Sequence, residues 1–428
     1  MRTYTLLTVA ALVSLAVSAI GQITPGQKQM RSILITGATV HTGTGTVIKN
    51  GAVGFDGGTI FFVGTAEEAG TLGWDKIIEA RGKHLYPGFI APNSTIGLAE
   101  IDAVRAATDV YEIGTFRPNV RSIIAYDTES EITPTVRSNG VLLGQITPRG
   151  GTIAGSSGIV HFDAWNWEDA AIKMVDGIHL NWPYTHHRHR GNGMEVVKMK
   201  TYDQQKHEIE RFFTEAKAWC DRPSDVTEVK FAAMCALFSG ELALYIHADD
   251  VRQIQEAIHL KRSFSIPRVV IVGGSDSHLC TDLLIENEVP VMVQRIHELP
   301  RFAEDDVDLT YKLPKLLNDA GVLFCIQNAG DMERMGTRNM PFYAGTAVAH
   351  GLDYEKAVAA LSLNTAKILG IDDRYGSIEK GKSATLFISD GDALDMLGNK
   401  VTLAFIDGRE IDLSNRQLQL YLKYQGKY

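Results

Sequence analysis

Leu242-Ala243-Leu244-Tyr245-Ile246-His247 is an apolar run that ends on a histidine. A helical pattern follows from Asp249 to Leu260, and then a second apolar run, Val269-Val270-Ile271-Val272. Strand, helix and strand in about thirty residues is the unit from which parallel sheets are built. Working outward, further apolar runs read as strands: Gly88-Phe89-Ile90, Val141-Leu142-Leu143, Gly158-Ile159-Val160, Ile178-His179-Leu180, Pro290 to Val293 and Val322 to Ile326. A helix is expected from Tyr354 to Leu369. Eight strands with interleaved helices fit an α/β fold of the (β/α)8 TIM-barrel type. A doubly wound open sheet is the alternative. No G-x-G-x-x-G opens a helix after the first strand, which weighs against its dinucleotide-binding form.

The two ends have a different texture. Ile33-Leu34-Ile35-Thr36, Gly51 to Phe55 and Thr59 to Val63 are short strands, and Asp56-Gly57-Gly58 between the last two is hairpin chemistry. Ala384 to Ile388 and Val401 to Ile406 repeat that texture. A small β-sandwich made from residues 33–86 and 370–412 is therefore expected beside a barrel over 87–368, with 413–428 as a C-terminal tail. Leu6 to Ile20 is apolar behind a positively charged start, and small residues follow before Gln22. That is signal-peptide patterning for residues 1–21, with a membrane anchor as the other reading. Export to the periplasm or medium is expected, with no membrane span in the mature chain.

The net charge of −9 gives no electrostatic reason to expect nucleic acid. Four cysteines without a C-x-x-C pair exclude a disulfide-dense scaffold; Cys220, Cys235, Cys280 and Cys325 read as buried free thiols, with room for one bridge. The glycine- and serine-rich segment Gly150 to Gly158 reads as a tight turn after a strand, with an anion-binding nest of backbone N–H groups as the other reading. It lacks the Lys-Ser/Thr ending of a phosphate-binding loop. Trp165 and Trp167 suit a pocket wall or a core equally. His186-His187-Arg188-His189 reads as imidazoles on a solvated loop, with a metal-binding tract as the other reading.

Several separated stretches resemble the amidohydrolase superfamily. They are Ile33 to Val40, Tyr86-Pro87-Gly88-Phe89-Ile90, Leu363 to Gly370 and Gly376 to Ala384. Pro148 to Ser157 and Asp163 to Asp169 are similar to a divergent exported branch of it, imidazolonepropionase- or prolidase-like, that lacks the H-x-H metal motif. The resemblance implies a barrel with a sandwich, and hydrolysis of a C–N bond in a small amide, cyclic amide or peptide-like substrate. It also implies where ligands should stand, and the sequence departs there. Asn93 and Thr95 occupy the strand-one histidine positions, Gly273 the strand-six position, and Asn328 or Ala329 the strand-eight aspartate position. His247 matches the strand-five ligand, and His179 stands on strand four.

The expected site is therefore His247, Asn93 and Asp331 as catalytic residues, with Thr95, His179, Asp276 and His278 around the substrate. His247 and His179 are the expected metal ligands, holding at most one weakly bound divalent ion, zinc by preference, or none. The rival reading is a non-catalytic binder of a small molecule or partner on the same barrel. Oligomeric state is left open.

Overall fold

A computed structural model describes residues 24–70, 73–190, 194–222, 228–302, 304–330 and 332–427. The expected signal peptide and Asp331 lie outside the described residues.

Eight strands form the barrel sheet in chain order: Phe89–Ser94, Val141–Ile146, Ile153–His161, Ala171–Asn181, Ala243–Ala248, Val269–Gly273, Val291–Val293 and Phe324–Ile326. We number them strands one to eight of the barrel. Apolar side chains fill the interior: Ile90, Leu143, Ile159, Ala243, Tyr245, Val270, Val272, Met292 and Cys325 are all buried. No backbone ladder joins strand eight to strand one among the described residues. The amide of Asn93 instead donates across that gap to Gln327 Oε1 at 3.1 Å.

One expectation fails here. Strand three pairs antiparallel with both strand two and strand four, so the barrel is not wholly parallel. The connections explain it. Strands two and three are joined by residues 147–152, too short for the dozen or more residues that a parallel crossover needs. The segment Gly150 to Gly158, read as a turn, is thus largely strand: Gly150 and Gly151 turn the chain with positive φ, and Ile153–His161 runs back down the barrel wall. The helix expected over Tyr354–Leu369 is two helices, Tyr354–Leu361 and Leu363–Leu369, broken at Ser362. The C-terminal tail carries a helix, Arg416–Gln425.

The chain ends share one eight-stranded sheet, in which Leu386–Ser389 pairs with His84–Pro87, and His84–Pro87 with Ile33–His41. Phe55 and Phe405 lie on strands four places apart along that sheet, about 19 Å if it were flat. Their rings are 5.1 Å apart. The sheet therefore folds over on itself around Ile35, Val53, Phe55, Leu386 and Phe405 as a small sandwich. Gly57 and Gly58 both take positive φ in the two-residue turn between Val47–Asp56 and Thr59–Thr65, the backbone that a tight hairpin requires.

Of the four thiols, read as free with room for one bridge, two are bridged. Cys220 and Cys235 form a disulfide, with Cα atoms 5.4 Å apart. The helices Tyr202–Asp221 and Val229–Phe238 pack as a hairpin, which brings residues fifteen apart side by side. Cys280 and Cys325 are free and buried.

Candidate active site at the barrel mouth

Strand five stops at Ala248 because the next helix begins with a reciprocal cap. Asp250 accepts from the Gln253 backbone N–H at 2.9 Å, and the Gln253 side chain accepts from Asp249 and Asp250 N–H groups at 2.8 and 3.0 Å. This fixes His247 at the C-terminal end of its strand, where barrels of this kind carry their chemistry. His179 on strand four is in register with Tyr245, and its Nδ1 is 3.0 Å from His247 Nε2. The other nitrogen of His179, Nε2, is 2.9 Å from the Ser157 hydroxyl on strand three.

Beneath this pair lies a buried carboxylate that sequence reading missed. Asp176 Oδ2 accepts from Gln145 at 2.6 Å and Tyr245 at 2.7 Å, and from Ser157 at 3.4 Å. Its Oδ1 is buried without a partner among the described residues. Burial raises its pKa, against the opposing effect of the Tyr245 hydroxyl and of Lys173. Asp176, Ser157, His179 and His247 form one hydrogen-bonded line from the barrel interior to the mouth.

The second half of the site surrounds Asn93, which is buried in the left-handed conformation. Arg149 grips it twice, donating to Asn93 Oδ1 at 2.9 Å and to its carbonyl at 2.8 Å. The same guanidinium pairs with Glu333 at 3.1 Å. Thr95 donates to Glu333 and accepts from Arg334. Gln145 ties the halves together, since its Oε1 accepts from the Asn93 N–H at 2.9 Å while its amide reaches Asp176. Burial, with Arg149 nearby, pushes the His247 pKa down to about 3. His179 is driven well below the usual imidazole range by burial, His247 and Arg149. Both rings are neutral at pH 7.

Of the expected site residues, Asn93, Thr95, His179 and His247 come together. Asp276 and His278 lie in the loop after strand six, where Asp276 accepts from the Val251 N–H and pairs with Arg301 at 3.4 Å. Nothing in the described structure bonds either one to the imidazole pair. Asn328 faces away, donating to the Glu333 carbonyl and accepting from Tyr343. Trp165 belongs neither to the core nor to the mouth; it is 67% exposed near the opposite end of the barrel. His186 is on a hairpin strand, not a loop. Arg149, Glu333, Gln145, Ser157, Asp176 and Gln327 went unread. Their one visible signal is polarity inside or just after apolar runs.

These donors do not fit a binuclear zinc centre. Both nitrogens of His179 and one of His247 are already engaged within the protein. A guanidinium stands at Asn93, where the strand-one imidazoles would be, and its charge opposes a divalent cation. At Gly273 a side chain would meet Asp249 Oδ1 at 2.5 Å, in a backbone conformation with φ of 102°. Among the described residues no three His, Cys, Asp or Glu side chains converge as ligands.

A family model for the amidohydrolase family matches residues 202–411. A crystal structure of an amidohydrolase from Thermotoga maritima MSB8 superposes with a TM-score of 0.78 at 25% identity, covering 89% of this chain and 99% of that one. The chain belongs to the amidohydrolase superfamily. Amidohydrolase tasK of Hapsidospora irregularis is 22% identical over 363 residues, 78% of this chain. The chain spans only 37% of the length of that relative. An imidazolonepropionase of Bacillus thuringiensis (strain Al Hakam) is 50% identical over 48 residues, 11% of either chain. Superfamily membership accounts for the barrel and the composite sheet.

Proposed function

We propose that the barrel mouth hydrolyses a C–N bond in a small amide, cyclic amide or peptide-like compound, using its own side chains where relatives use metal ligands. The observation that carries the reading is the neutral His179–His247 pair at the strand ends with the Arg149 cation close by. His247 accepts the proton of an attacking water as the C–O bond forms, and returns it to the leaving nitrogen as the C–N bond breaks. The line through His179 and Ser157 toward Asp176 orients the ring and holds its proton in place. Arg149 faces the developing charge on the carbonyl oxygen, the role that fixed cations fill in such transition states. A substrate carboxylate near Arg149 would offset that charge and raise the basicity of His247.

The degenerate metal site is part of the proposal: at most one divalent ion is held, weakly. Export is also proposed, supported by the Cys220–Cys235 disulfide, which persists in oxidising compartments. A small-molecule substrate fits a site built from polar side chains buried at the strand ends, Asn93, Thr95 and His179 among them. The misfit of the metal ligands equally favours a second reading, a binder that has lost catalysis.

A panel of N-acyl amino acids, dipeptides and cyclic amides decides between them, run alongside elemental analysis of metal-replete, dialysed protein. Turnover that falls at least 100-fold in both His247→Gln and Arg149→Met, with less than one zinc per chain, supports the proposal. Two stoichiometric zinc ions, or turnover untouched by both substitutions, overturns it. Saturable binding of a panel member without turnover selects the binder.

A further inference from the structure

A cavity of about 360 Å³ opens at the end of the barrel opposite the mouth. Its walls include Arg137, Thr133, Phe162 and Trp165, with Glu129 and Glu131 at the rim. The placement follows from the pairing: Phe162 and Asp163 come after His161, which is in register with Leu143 near the start of strand two.

Arg137 is the unusual wall residue. It is 4% exposed, and among the described residues only one of its three nitrogens is used. Nη1 donates to the Phe162 carbonyl at 3.0 Å and to Asp163 Oδ1 at 2.8 Å. Among the described residues Nε is buried with no partner, and Nη2 makes no hydrogen bond. These two form one edge of the guanidinium, the parallel fork that takes a carboxylate in bidentate fashion. Asp163 cannot serve it further, because its Oδ2 is taken by the Gly26 N–H at 2.8 Å and by Arg409 at 3.5 Å. Two guanidinium groups thus share one buried carboxylate. The Thr133 hydroxyl, also on the wall, is buried; its one side-chain neighbour for hydrogen bonding among the described residues is the Tyr126 hydroxyl, which it meets outside good geometry. Leaving such groups unsatisfied is costly, so a cavity beside them calls for a complementary anion.

We propose that this cavity binds a small α-amino acid, independently of what happens at the mouth. Its carboxylate lies on the Nε–Nη2 edge of Arg137 with Thr133 donating to it. Its ammonium faces Glu129 and Glu131, exposed carboxylates that make no ion pair among the described residues. Phe162 and Trp165 supply apolar surface for its side chain.

The test is a titration of the full chain with L-alanine, followed by Trp165 fluorescence and calorimetry, with Trp165→Phe as the optical blank. L-Alanine is expected to saturate, and acetate to bind at least tenfold more weakly because it lacks the ammonium. Arg137→Lys keeps the charge but loses the fork, and should weaken L-alanine at least tenfold. Thr133→Val should weaken it several-fold without destabilising the fold, which guards against a merely unfolded Arg137 variant. Absence of saturation, equal binding of acetate, inorganic phosphate binding more tightly than L-alanine, or affinity unchanged in Thr133→Val and a folded Arg137→Lys would each overturn the proposal. So would a crystal structure with residues ahead of Thr24 filling the cavity.

Discussion

Lowering the pH from 7 to 5 is expected to remove about 2 kcal/mol of stability through His247 alone. A free imidazole titrates near 6.5, whereas His247 in the folded chain is pushed down to about 3. Between those values the unfolded chain binds a proton that the folded chain refuses, so stability rises with pH across that window. The contribution is fully present above about pH 6.5 and is lost progressively as the pH falls toward 3. At pH 5 the unfolded side lies about 1.5 pH units into its titration, and each unit is worth about 1.4 kcal/mol. The figure near 2 kcal/mol depends only on the folded pKa lying below 5. Urea unfolding at pH 7 and pH 5 measures it, comparing the native chain with His247→Gln. The variant should lose about 2 kcal/mol less between the two pH values. Equal losses in the two proteins would mean that His247 is not held neutral, and the electrostatic account of the mouth would fail.

Reducing the Cys220–Cys235 bridge, which closes a separation of 15 residues, should destabilise the protein by about 3 kcal/mol, seen as a lower melting temperature in dithiothreitol that Cys220→Ser reproduces. Arg149→Met leaves Glu333 buried without its cation and should cost roughly 3–5 kcal/mol in chemical unfolding; adding Glu333→Gln should recover much of that loss. Gly140→Ala is expected to cost about 1–3 kcal/mol in the same assay, because the new methyl would meet the Phe387 ring at 2.5 Å on a backbone with φ of 85°.

Much of the fold is readable from hydropathy because each barrel strand is an apolar run, and Val141, Val269 and Val291 begin strands close to where those runs begin. Direction is not written in such a run. The antiparallel course of strand three shows only in the shortness of the segment before it. At the site, His247 is legible because a histidine at the end of an apolar strand points into the mouth. Ser157 and Asp176 are harder to see, since a small hydroxyl among glycines and one carboxylate before Gly177 look like ordinary strand edges. Arg149 and Glu333 are 184 residues apart, and no local pattern announces their meeting. The disulfide is hidden for the same reason at shorter range: nothing in two helical patterns tells which faces touch.

The reversed third strand has a consequence for how the chain folds. Strands two, three and four follow one another as a meander with short links, so their pairing closes small loops, while the later strands must wait for a helix between each pair. Local contacts of this kind form early at little entropic cost. The meander is also irregular, with register shifts between Ile153 and Gly155 and between Ser157 and Ile159. A slip of one residue there would turn Ser157 away from His179 and swing its neighbours into the interior. The part of the barrel able to assemble first therefore sets the alignment of the proton line before His247 arrives on strand five. An error made at that stage would leave a folded barrel with a silent mouth.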